Sequence, residues 1–535
     1  MNTISRKIIF TAALTAGGGI ILLVRLLIIN LNSSYYKSFD MSAPREVTVI
    51  SSYGDIYDRN GFPLVNTDES YTAVINPETA DRAAIEPHIT DRAKYDSCID
   101  GTALFLCAVD CAELPSVTVI PTKNRYSDDQ LCEHIIGYTG IDGGVCGLEK
   151  SYNELLRQPK SSVTLSYNVD ARGNFLEGGG LGMQWKSGYT TGIATAIDGE
   201  IQSACTAAMK DVEKGACVVM DISTGEICAI VSKPSFDPSH PENSLNSSDA
   251  PFINRAFSPY SVGSVFKLVT AGAALEYGIS EEYACDCSGS VMIRTTEFGC
   301  HRFGGHGIVD MRTAMVESCN PYFICLGRDI PSVFLHDFAQ RLGFGKAQLF
   351  TADITSASGI LPDSKQLLIP EEKANFSFGQ GMLTATPLQV TMMTAAIANG
   401  GQMPSPILVH GSTDLTRDHT EAAAVPSFTR VMKKSTADKL RSFMISTMYK
   451  ENSAAVPEFA TGGGKTSTAQ TWTYDENGRE KLNCWFTGFF PADRPQYAVT
   501  VVIEEGISGN VTCGPVFAEI ADSVKMRRYA DYFTK

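Results

Sequence analysis

Residues 464–504 read GKTSTAQTWTYDENGREKLNCWFTGFFPADRPQYAVTVVIE, with three short segments separated by polar turns. Three segments in it, 464–469, 484–490 and 497–504, are rich in β-branched and aromatic residues and therefore predict strands. The residues from about 516 to 533 then predict a helix.

Two more strands are predicted upstream, where 216–221 (ACVVMD) and 226–231 (EICAIV) flank the turn sequence Ile-Ser-Thr-Gly. A helix is predicted at 264–277, because apolar residues recur along one face and Gly278 supplies a stop. Further helices and loops run to about residue 455. A hairpin, a helical middle, three strands and a final helix indicate an α+β domain at 206–535, with one antiparallel sheet flanked by helices.

The N-terminal 30 residues predict a membrane anchor. Arg6 and Lys7 precede an apolar run at 8–29 that is interrupted only by Arg25, and its 22 residues span about 30 Å of hydrocarbon as a helix. The positive flank predicts that the short N-terminus stays in the cytoplasm and that everything after the anchor lies outside. A cleaved signal peptide is the alternative, but the run is long and no small-x-small site follows it.

Residues 31–205 predict a separate non-catalytic domain, since a chain of 535 residues is too long for one core. The segment 53–64 (YGDIYDRNGFPL) predicts a strand and hairpin with an Asn-Gly turn. Short strands then alternate with polar turns, and the Gly-rich piece 177–182 predicts a flexible loop. This region carries no catalytic constellation of its own.

Charge and cysteine content narrow the ligand classes. The net charge of -15, without a basic stripe, argues against a nucleic-acid partner. Fifteen cysteines are many for an exported chain, and four of them are expected to be buried: Cys217, Cys228, Cys319 and Cys325. Any two of Cys285, Cys287 and Cys300 could supply one local disulfide, while Cys98, Cys107 and Cys111 stay undecided. None has zinc-finger spacing, so no metal is expected.

Ser264 and Lys267 form a candidate nucleophile and base. Serine needs a group that removes its proton, and a lysine one helical turn later lies on the same face and acts as a base if burial lowers its pKa. Ser264 also lies at a predicted helix N-terminus, where backbone N–H groups favour a developing oxyanion. The pair alone is weak, because Ser34-Tyr35-Tyr36-Lys37 has the same spacing beside the anchor.

Two further motifs complete the set found in penicillin-binding proteins and class A β-lactamases. Ser318-Cys319-Asn320 fits the Ser-x-Asn motif, and Lys465-Thr466-Ser467 resembles the Lys-Thr-Gly motif. Both have competitors elsewhere in the chain: Ser151 with Asn153, Ser166 with Asn168, Ser244 with Asn246, Ser508 with Asn510, and Lys186-Ser187-Gly188. Only Ser264, Ser318 and Lys465 combine the family order with the expected elements.

Five blocks in family order make the resemblance specific. The runs NRAFSPYSVGSVFKLVTA, HGIVDMRTAMVESCNPYF, FGQGMLTATPLQ, GGKTSTAQ and WFTGFFPADRPQYAVTVVIEE resemble class B penicillin-binding proteins. Upstream, GDIYDRNG, RYSDDQLCEHIIGYTG, GVCGLEKSYNELL and VDARGNFLE resemble the elongated, β-rich pedestal of that class. The resemblance therefore covers nearly everything after the anchor.

The resemblance implies a peptidoglycan D,D-transpeptidase without a cofactor, acting in cell-wall synthesis during growth, division or sporulation. Ser264 would be acylated by stem peptides ending in D-Ala-D-Ala, or by β-lactam inhibitors, with Lys267 as general base. Ser318 and Asn320 would relay protons and position substrate, Lys465 and Thr466 would bind the carboxylate, and the N–H groups of Ser264 and Thr468 would form the oxyanion hole. The glycan strand would come from a separate membrane polymerase.

Two residues raise questions. Ser467 stands where the family usually has glycine, so its side chain would weaken β-lactam binding if it pointed into the cleft. His306, in GGHG, is a tempting base, but it is interpreted as structural because the lysine fills that role. A D,D-carboxypeptidase or β-lactamase-like hydrolase, and a non-catalytic β-lactam sensor or scaffold, are the alternative functions.

Overall fold

The computed structural model describes residues 3–31, 45–169, 175, 180–188, 192–413, 420–421 and 424–534. The competing Ser34-to-Lys37 match, residues 177–179 of the Gly-rich loop and most of the VDARGNFLE segment fall outside the described residues.

The chain divides into two compact units whose segments alternate along the sequence. The first contains Met1–Ser52, Glu69–Lys123 and Pro159–Gly188, and the second contains Tyr53–Asp68, Asn124–Gln158 and Tyr189–Lys535. No single cut in the sequence separates them. The division into 1–30, 31–205 and 206–535 therefore stays a prediction about domains.

The first unit contains the predicted anchor helix and two small sheets. The helix is Thr3–Leu31, and its Lys7–Ile28 portion is long and apolar enough to cross a membrane. Two short helices, Arg82–Ile85 and Arg92–Cys98, lie between the strands Glu69–Ile75 and Phe105–Val109 along the chain. The first sheet has the strand order Arg45–Tyr53, Pro159–Tyr167, Leu181–Ser187. The second sheet has the strand order Phe105–Val109, Glu69–Ile75, Thr118–Lys123.

The second unit is built on a five-stranded antiparallel sheet, here called the central sheet. Its strands, in order, are Ile227–Lys233, Gly215–Asp221, Tyr497–Glu504, Glu480–Phe490 and Gly463–Tyr474. All five predicted strands are present, and the edge strand Gly463–Tyr474 is longer than the 464–469 that the sequence suggested. Alternate side chains of Gly215–Asp221 pack into different apolar clusters, because successive strand residues point to opposite faces.

Helices cover both faces of the central sheet. Pro387–Ala398 is buried along its whole length, and Thr386 and Gln389 close its N-terminus as a capping box. Gly199–Ala208 and the final helix Gly514–Thr534 pack with the cluster on the other face. The predicted α+β fold, with an antiparallel sheet flanked by helices, is confirmed.

The remaining elements surround this core. The predicted hairpin at 53–64 is reduced to the short strand Ile56–Tyr57, a turn at Arg59 and Asn60, and one bridge from Tyr57 to Pro63. The other described α-helices of the second unit are Glu133–Ile136, Gly147–Ser151, Asn153–Leu156, Lys267–Tyr277, Met311–Val316, Asn320–Arg328, Ser332–Arg341, Pro370–Ser377 and Lys434–Met448. The other described strands are Thr139–Gly140, Gly143–Gly144, Gly192–Thr195, Tyr260–Ser261, Cys285–Cys287, Ser290–Ile293, Thr296–Gly299, Gly307–Val309, Thr384–Ala385, Gln402–Pro404, Val409–Thr413, Thr420–Glu421 and Phe428–Arg430.

Candidate active site

Ser264 lies on a tight turn that leads into a buried helix. The α-helix predicted from residue 264 begins instead at Lys267, and a 3-10 turn, Gly263–Phe266, precedes it. Gly263 enters this turn with φ of 61°, a left-handed conformation that costs little only for glycine. The helix ends at Gly278 as predicted. Ser264 is partly exposed, and its hydroxyl makes no hydrogen bond to any residue that the structure describes.

Lys267 is fully buried and points at the Ser-x-Asn motif. Its Nζ donates to the Ser318 carbonyl at 2.6 Å, to Ser318 Oγ at 3.1 Å and to Asn320 Oδ1 at 2.6 Å. Burial, reinforced by the nearby charge of Lys465, holds the pKa of the Lys267 amine well below its usual range. A neutral fraction of this amine is therefore available at lower pH than for an exposed lysine.

Ser318 occupies a strained loop between two helices. It follows Met311–Val316 and precedes Asn320–Arg328, and its φ of 53° is unusual for a residue with a side chain. Such conformations store about 1–3 kcal/mol and persist only where the surroundings impose them. Asn320 is held from the other side, because its Nδ2 donates to the Gly299 carbonyl at 3.3 Å.

Lys465, on the edge strand of the central sheet, also contacts the Ser318 hydroxyl. Its Nζ donates to Ser318 Oγ at 3.1 Å and to the Thr466 carbonyl at 3.0 Å. Burial, and then the charge of Lys450, lower the pKa of Lys465 to about 7. Ser318 Oγ thus lies between two amines, each with a depressed pKa.

Ser467 is turned away from open solvent. It is 3% exposed, and its Oγ donates to the Val262 carbonyl at 2.8 Å, one residue before Gly263. Thr466 is partly exposed and Thr468 is exposed, since alternate residues of a strand face opposite sides. The hydroxyl therefore ties the edge strand to the nucleophile turn.

These residues line a cleft of about 600 Å³. It brings together Ser264, Ser318, Asn320, Lys465, Thr466, Ser467 and Thr468, while Lys267 lies behind it. The cleft has further polar lining residues that sequence reasoning did not assign to it: His301, Glu317, Thr447, Lys450, Glu451, Asn452, Ser453 and Asn510. Apart from Asn510, which belongs to a competing Ser-x-Asn match, they belong to none of the motifs, so only the fold places them here.

The competing motifs lie elsewhere, with one exception. Among the described residues of the Ser-x-Asn matches, only Asn510 also lines the cleft, where its Oδ1 accepts from the Ala454 N–H at 3.0 Å. Lys186 lies on a strand of the first unit. The roles of Ser264, Lys267, Ser318, Asn320, Lys465, Thr466, Ser467 and Thr468 remain predictions that this arrangement supports.

The cysteine and histidine predictions have mixed outcomes. Cys217, Cys228 and Cys319 are buried as expected, but Cys325 is partly exposed. All fifteen cysteines are free thiols, so the optional local disulfide is not formed. The His306 ring faces cysteine sulfurs rather than Ser264, with Nδ1 3.4 Å from Cys300 Sγ and 3.7 Å from Cys287 Sγ.

The sequence is similar to known transpeptidases. Residues 215–522 match the family model of the penicillin-binding protein transpeptidase domain. The chain is 28% identical to stage V sporulation protein D of Bacillus subtilis, over 71% of this chain and 59% of the relative. It is 29% identical to peptidoglycan D,D-transpeptidase MrdA of Acinetobacter baumannii, over 74% of this chain and 65% of the relative. It is 30% identical to peptidoglycan D,D-transpeptidase PbpA of Mycobacterium tuberculosis, over 62% of this chain and 71% of the relative. It thus spans less than two thirds of the first two relatives.

Solved structures share the fold. The penicillin-binding protein PBP2 of Helicobacter pylori aligns over 91% of this chain and all of its own, with a TM-score of 0.68 and 20% identity. The ceftriaxone acyl-enzyme of penicillin-binding protein A from Mycobacterium tuberculosis aligns over 89% of this chain and 98% of its own, with a TM-score of 0.65 and 22% identity.

Proposed function

The chain belongs to the penicillin-binding protein transpeptidase family, and we propose that it is a peptidoglycan D,D-transpeptidase that works through an acylated Ser264. One observation carries the proposal. Two buried amines, Lys267 and Lys465, meet at Ser318 Oγ in the cleft that also exposes Ser264. This arrangement supports a nucleophile, a proton carrier and a cation that line one cavity, with the base directly behind it.

Acylation begins with a proton transfer from Ser264 to Lys267. The buried amine favours the neutral form, so it accepts the hydroxyl proton while Ser264 Oγ bonds to the penultimate carbonyl carbon. The carbonyl oxygen becomes an oxyanion, which the N–H groups of Ser264 and Thr468 would bind. Donors of this kind contribute about 2.7–4 kcal/mol each in other enzymes.

The terminal D-Ala leaves once its nitrogen gains a proton. Lys267, now an ammonium, passes a proton to Ser318 Oγ, which gives its own proton to the leaving amine. The 3.1 Å contact between Lys267 Nζ and Ser318 Oγ supports this path. The carbon–nitrogen bond breaks and the acyl-enzyme remains on Ser264, with both side chains restored.

The carboxylate end of the peptide would lie against the edge strand. A free carboxylate needs hydroxyl donors and a cation. Thr466 and Thr468 offer hydroxyls toward the cleft, and Lys465 supplies positive charge from the buried face of the strand. Ser467 leaves that surface open, because its hydroxyl is directed at Val262.

An amine of a second stem peptide would then attack the acyl-enzyme and form the cross-link. We propose that the apolar helix anchors the chain by a single pass, with the cleft outside the cytoplasm. The glycan strands that carry the peptides would come from a separate membrane polymerase, and β-lactams would inhibit by acylating Ser264.

The nucleophile is tested on the full-length chain in detergent with a fluorescent penicillin. Mass spectrometry should place the adduct on Ser264, and Ser264→Ala should abolish labelling. Ser34→Ala is the matched control, because it removes the other Ser-x-x-Lys serine. An adduct that maps to another residue, or that survives in Ser264→Ala, refutes the assignment.

The acceptor is tested with a thioester analogue of the stem peptide. Turnover that increases with an added D-amino acid, and that yields the aminolysis product, supports transpeptidation. Turnover by water alone indicates a carboxypeptidase or β-lactamase-like hydrolase. A stable acyl-enzyme that neither water nor an amine resolves indicates a β-lactam sensor.

A further inference from the structure

We propose that Cys287, Cys300, His306 and Cys319 bind one zinc ion beside the active site. Their ligand atoms, three sulfurs and one imidazole nitrogen, all lie within 4.8 Å of one another. The sequence alone predicted no metal here, because the spacing of these residues matches no zinc finger.

The geometry fits tetrahedral zinc. With Zn–S of about 2.3 Å and Zn–N of about 2.0 Å, a tetrahedral site separates sulfur from nitrogen by about 3.5 Å. His306 Nδ1 lies 3.4 Å from Cys300 Sγ and 3.7 Å from Cys287 Sγ. Three thiolates and an imidazole form one of the common donor sets of structural zinc.

Backbone pairing, rather than chance, places three of the donors. The strand Cys285–Cys287 pairs with Gly307–Val309, and the His306 N–H donates to the Cys287 carbonyl at 2.9 Å. Pairing of Ser290–Ile293 with Thr296–Gly299 brings Cys300 back, and its N–H donates to the Gly289 carbonyl at 2.8 Å. The fourth donor, Cys319, belongs to the Ser-x-Asn motif.

The segment needs such a link, because it has almost no apolar core. Between residues 285 and 309, only Cys287 and Val309 are buried. Small chain segments that lack an apolar core are commonly stabilised by metals or disulfides. A disulfide would use two of the three thiols and leave the third beside the imidazole, whereas zinc would use all four donors.

The proposed zinc also bears on catalysis, a step that rests on the proposed function. Cys319 lies between Ser318 and Asn320, which both accept hydrogen bonds from Lys267. Cys300 follows Gly299, whose carbonyl accepts from Asn320 Nδ2. The ion would thus fix both the loop that carries Asn320 and the backbone against which its amide rests. Cys300 and Cys319 are positioning residues in this scheme.

The test measures metal on the full-length chain, purified in detergent with reductant and equilibrated with micromolar zinc. Elemental analysis should find one zinc per chain. Exchange with Co²⁺ should give the charge-transfer and visible bands of tetrahedral thiolate-bound cobalt. Because this readout uses the wild-type chain, it does not depend on whether a variant folds.

Variants assign the ligands. Cys300→Ser and His306→Ala should lose the zinc, whereas the matched control Cys285→Ser, on the same strand as Cys287, should keep it. Ser264→Ala should also keep it, so a failure of the proposed function is distinguishable from a failure of the metal site. Substoichiometric zinc in the wild type, equal zinc in Cys300→Ser and wild type, or a disulfide among the three cysteines of the purified chain overturns the proposal.

Discussion

Replacing Asn320 with aspartate should disable the base without changing the size of the site. Asn320 Oδ1 accepts from Lys267 Nζ at 2.6 Å, so Asn320→Asp puts a carboxylate oxygen in direct contact with the amine. An opposite charge favours the charged form of its neighbour, and contacts this close shift a pKa by about 1–3 units. The substitution therefore raises the pKa of Lys267, opposing the burial that lowers it.

The sign follows from the role of Lys267 as an acceptor of the Ser264 proton. Only the neutral amine accepts that proton, so the acylation rate rises with pH as Lys267 is deprotonated. In Asn320→Asp this rise should move up by about 1–3 pH units, and below it the neutral fraction falls about tenfold per unit. At a fixed pH on the rising limb, acylation should thus slow by roughly 10- to 1000-fold.

The assay is stopped-flow acylation by a chromogenic β-lactam across the pH range, with each variant's fold checked by circular dichroism. Asn510→Asp is the matched control, because it adds the same charge to the same cleft. Asn510 also donates its amide to a backbone carbonyl, that of Asn452, but its side-chain oxygen contacts the Ala454 N–H rather than a lysine. An unchanged pH profile in Asn320→Asp, or an equal shift in both variants, would refute the assignment of Lys267 as base.

Four further outcomes follow from the same contacts. Ser467→Gly should lower the free energy of unfolding by about 1–2.5 kcal/mol, because it removes a hydrogen bond and puts a glycine within a strand. The rate of β-lactam acylation should stay within about threefold of the wild-type rate, and a tenfold faster rate would place the Ser467 hydroxyl in the cleft. Gly263→Ala should slow acylation, because left-handed backbone costs an alanine about 1–2 kcal/mol and its Cβ would collide with Ser467 Oγ, and adding Ser467→Gly should recover part of the rate. Since the Lys465 pKa is lowered to about 7, the amine loses its charge above that pH, and acylation by carboxylate-bearing β-lactams should fall as pH rises through 7; a profile that stays flat to pH 9 contradicts this. Removing the proposed zinc with a chelator should slow acylation and make three thiols accessible to alkylating reagents. Zinc added before the reagent should reverse both effects, and the chelator should cause neither effect in Cys300→Ser.

The strands of the central sheet could be predicted from sequence, but their order could not. Apolar, β-branched runs mark each strand locally. Nothing local indicates that Gly215–Asp221 pairs with Tyr497–Glu504 from the far end of the second unit. The same limit applies to the compact units, because Tyr53–Asp68 and Asn124–Gln158 join the second unit through long-range contacts.

The motif residues of the cleft were predictable because their spacing encodes their geometry. Lys267 lies one turn after Ser264, and alternation along a strand separates Lys465 from Thr466. The lowered pKa of Lys465 was not predictable, because it comes from burial and then from the charge of Lys450, which follows the helix Lys434–Met448 and approaches only in the fold. The direction of Ser467 was likewise set by Val262, a contact across 205 positions of sequence.

The cysteine cluster shows what sequence alone leaves out about Cys319, namely its neighbours in the fold. In sequence, Cys319 is a small apolar residue ahead of a helix, and its burial agrees with that interpretation. The sequence does not show which residues surround this thiol. In the fold, two short strand pairings bring Cys287, Cys300 and His306 close to the Cys319 thiol. Only two residues in 285–309 are buried, so apolar packing holds little of this segment in place. A link through Cys319 would therefore stabilise the loop that imposes the left-handed conformation of Ser318, and with it the hydrogen bonds to Ser318 and Asn320 that orient the buried amine of Lys267.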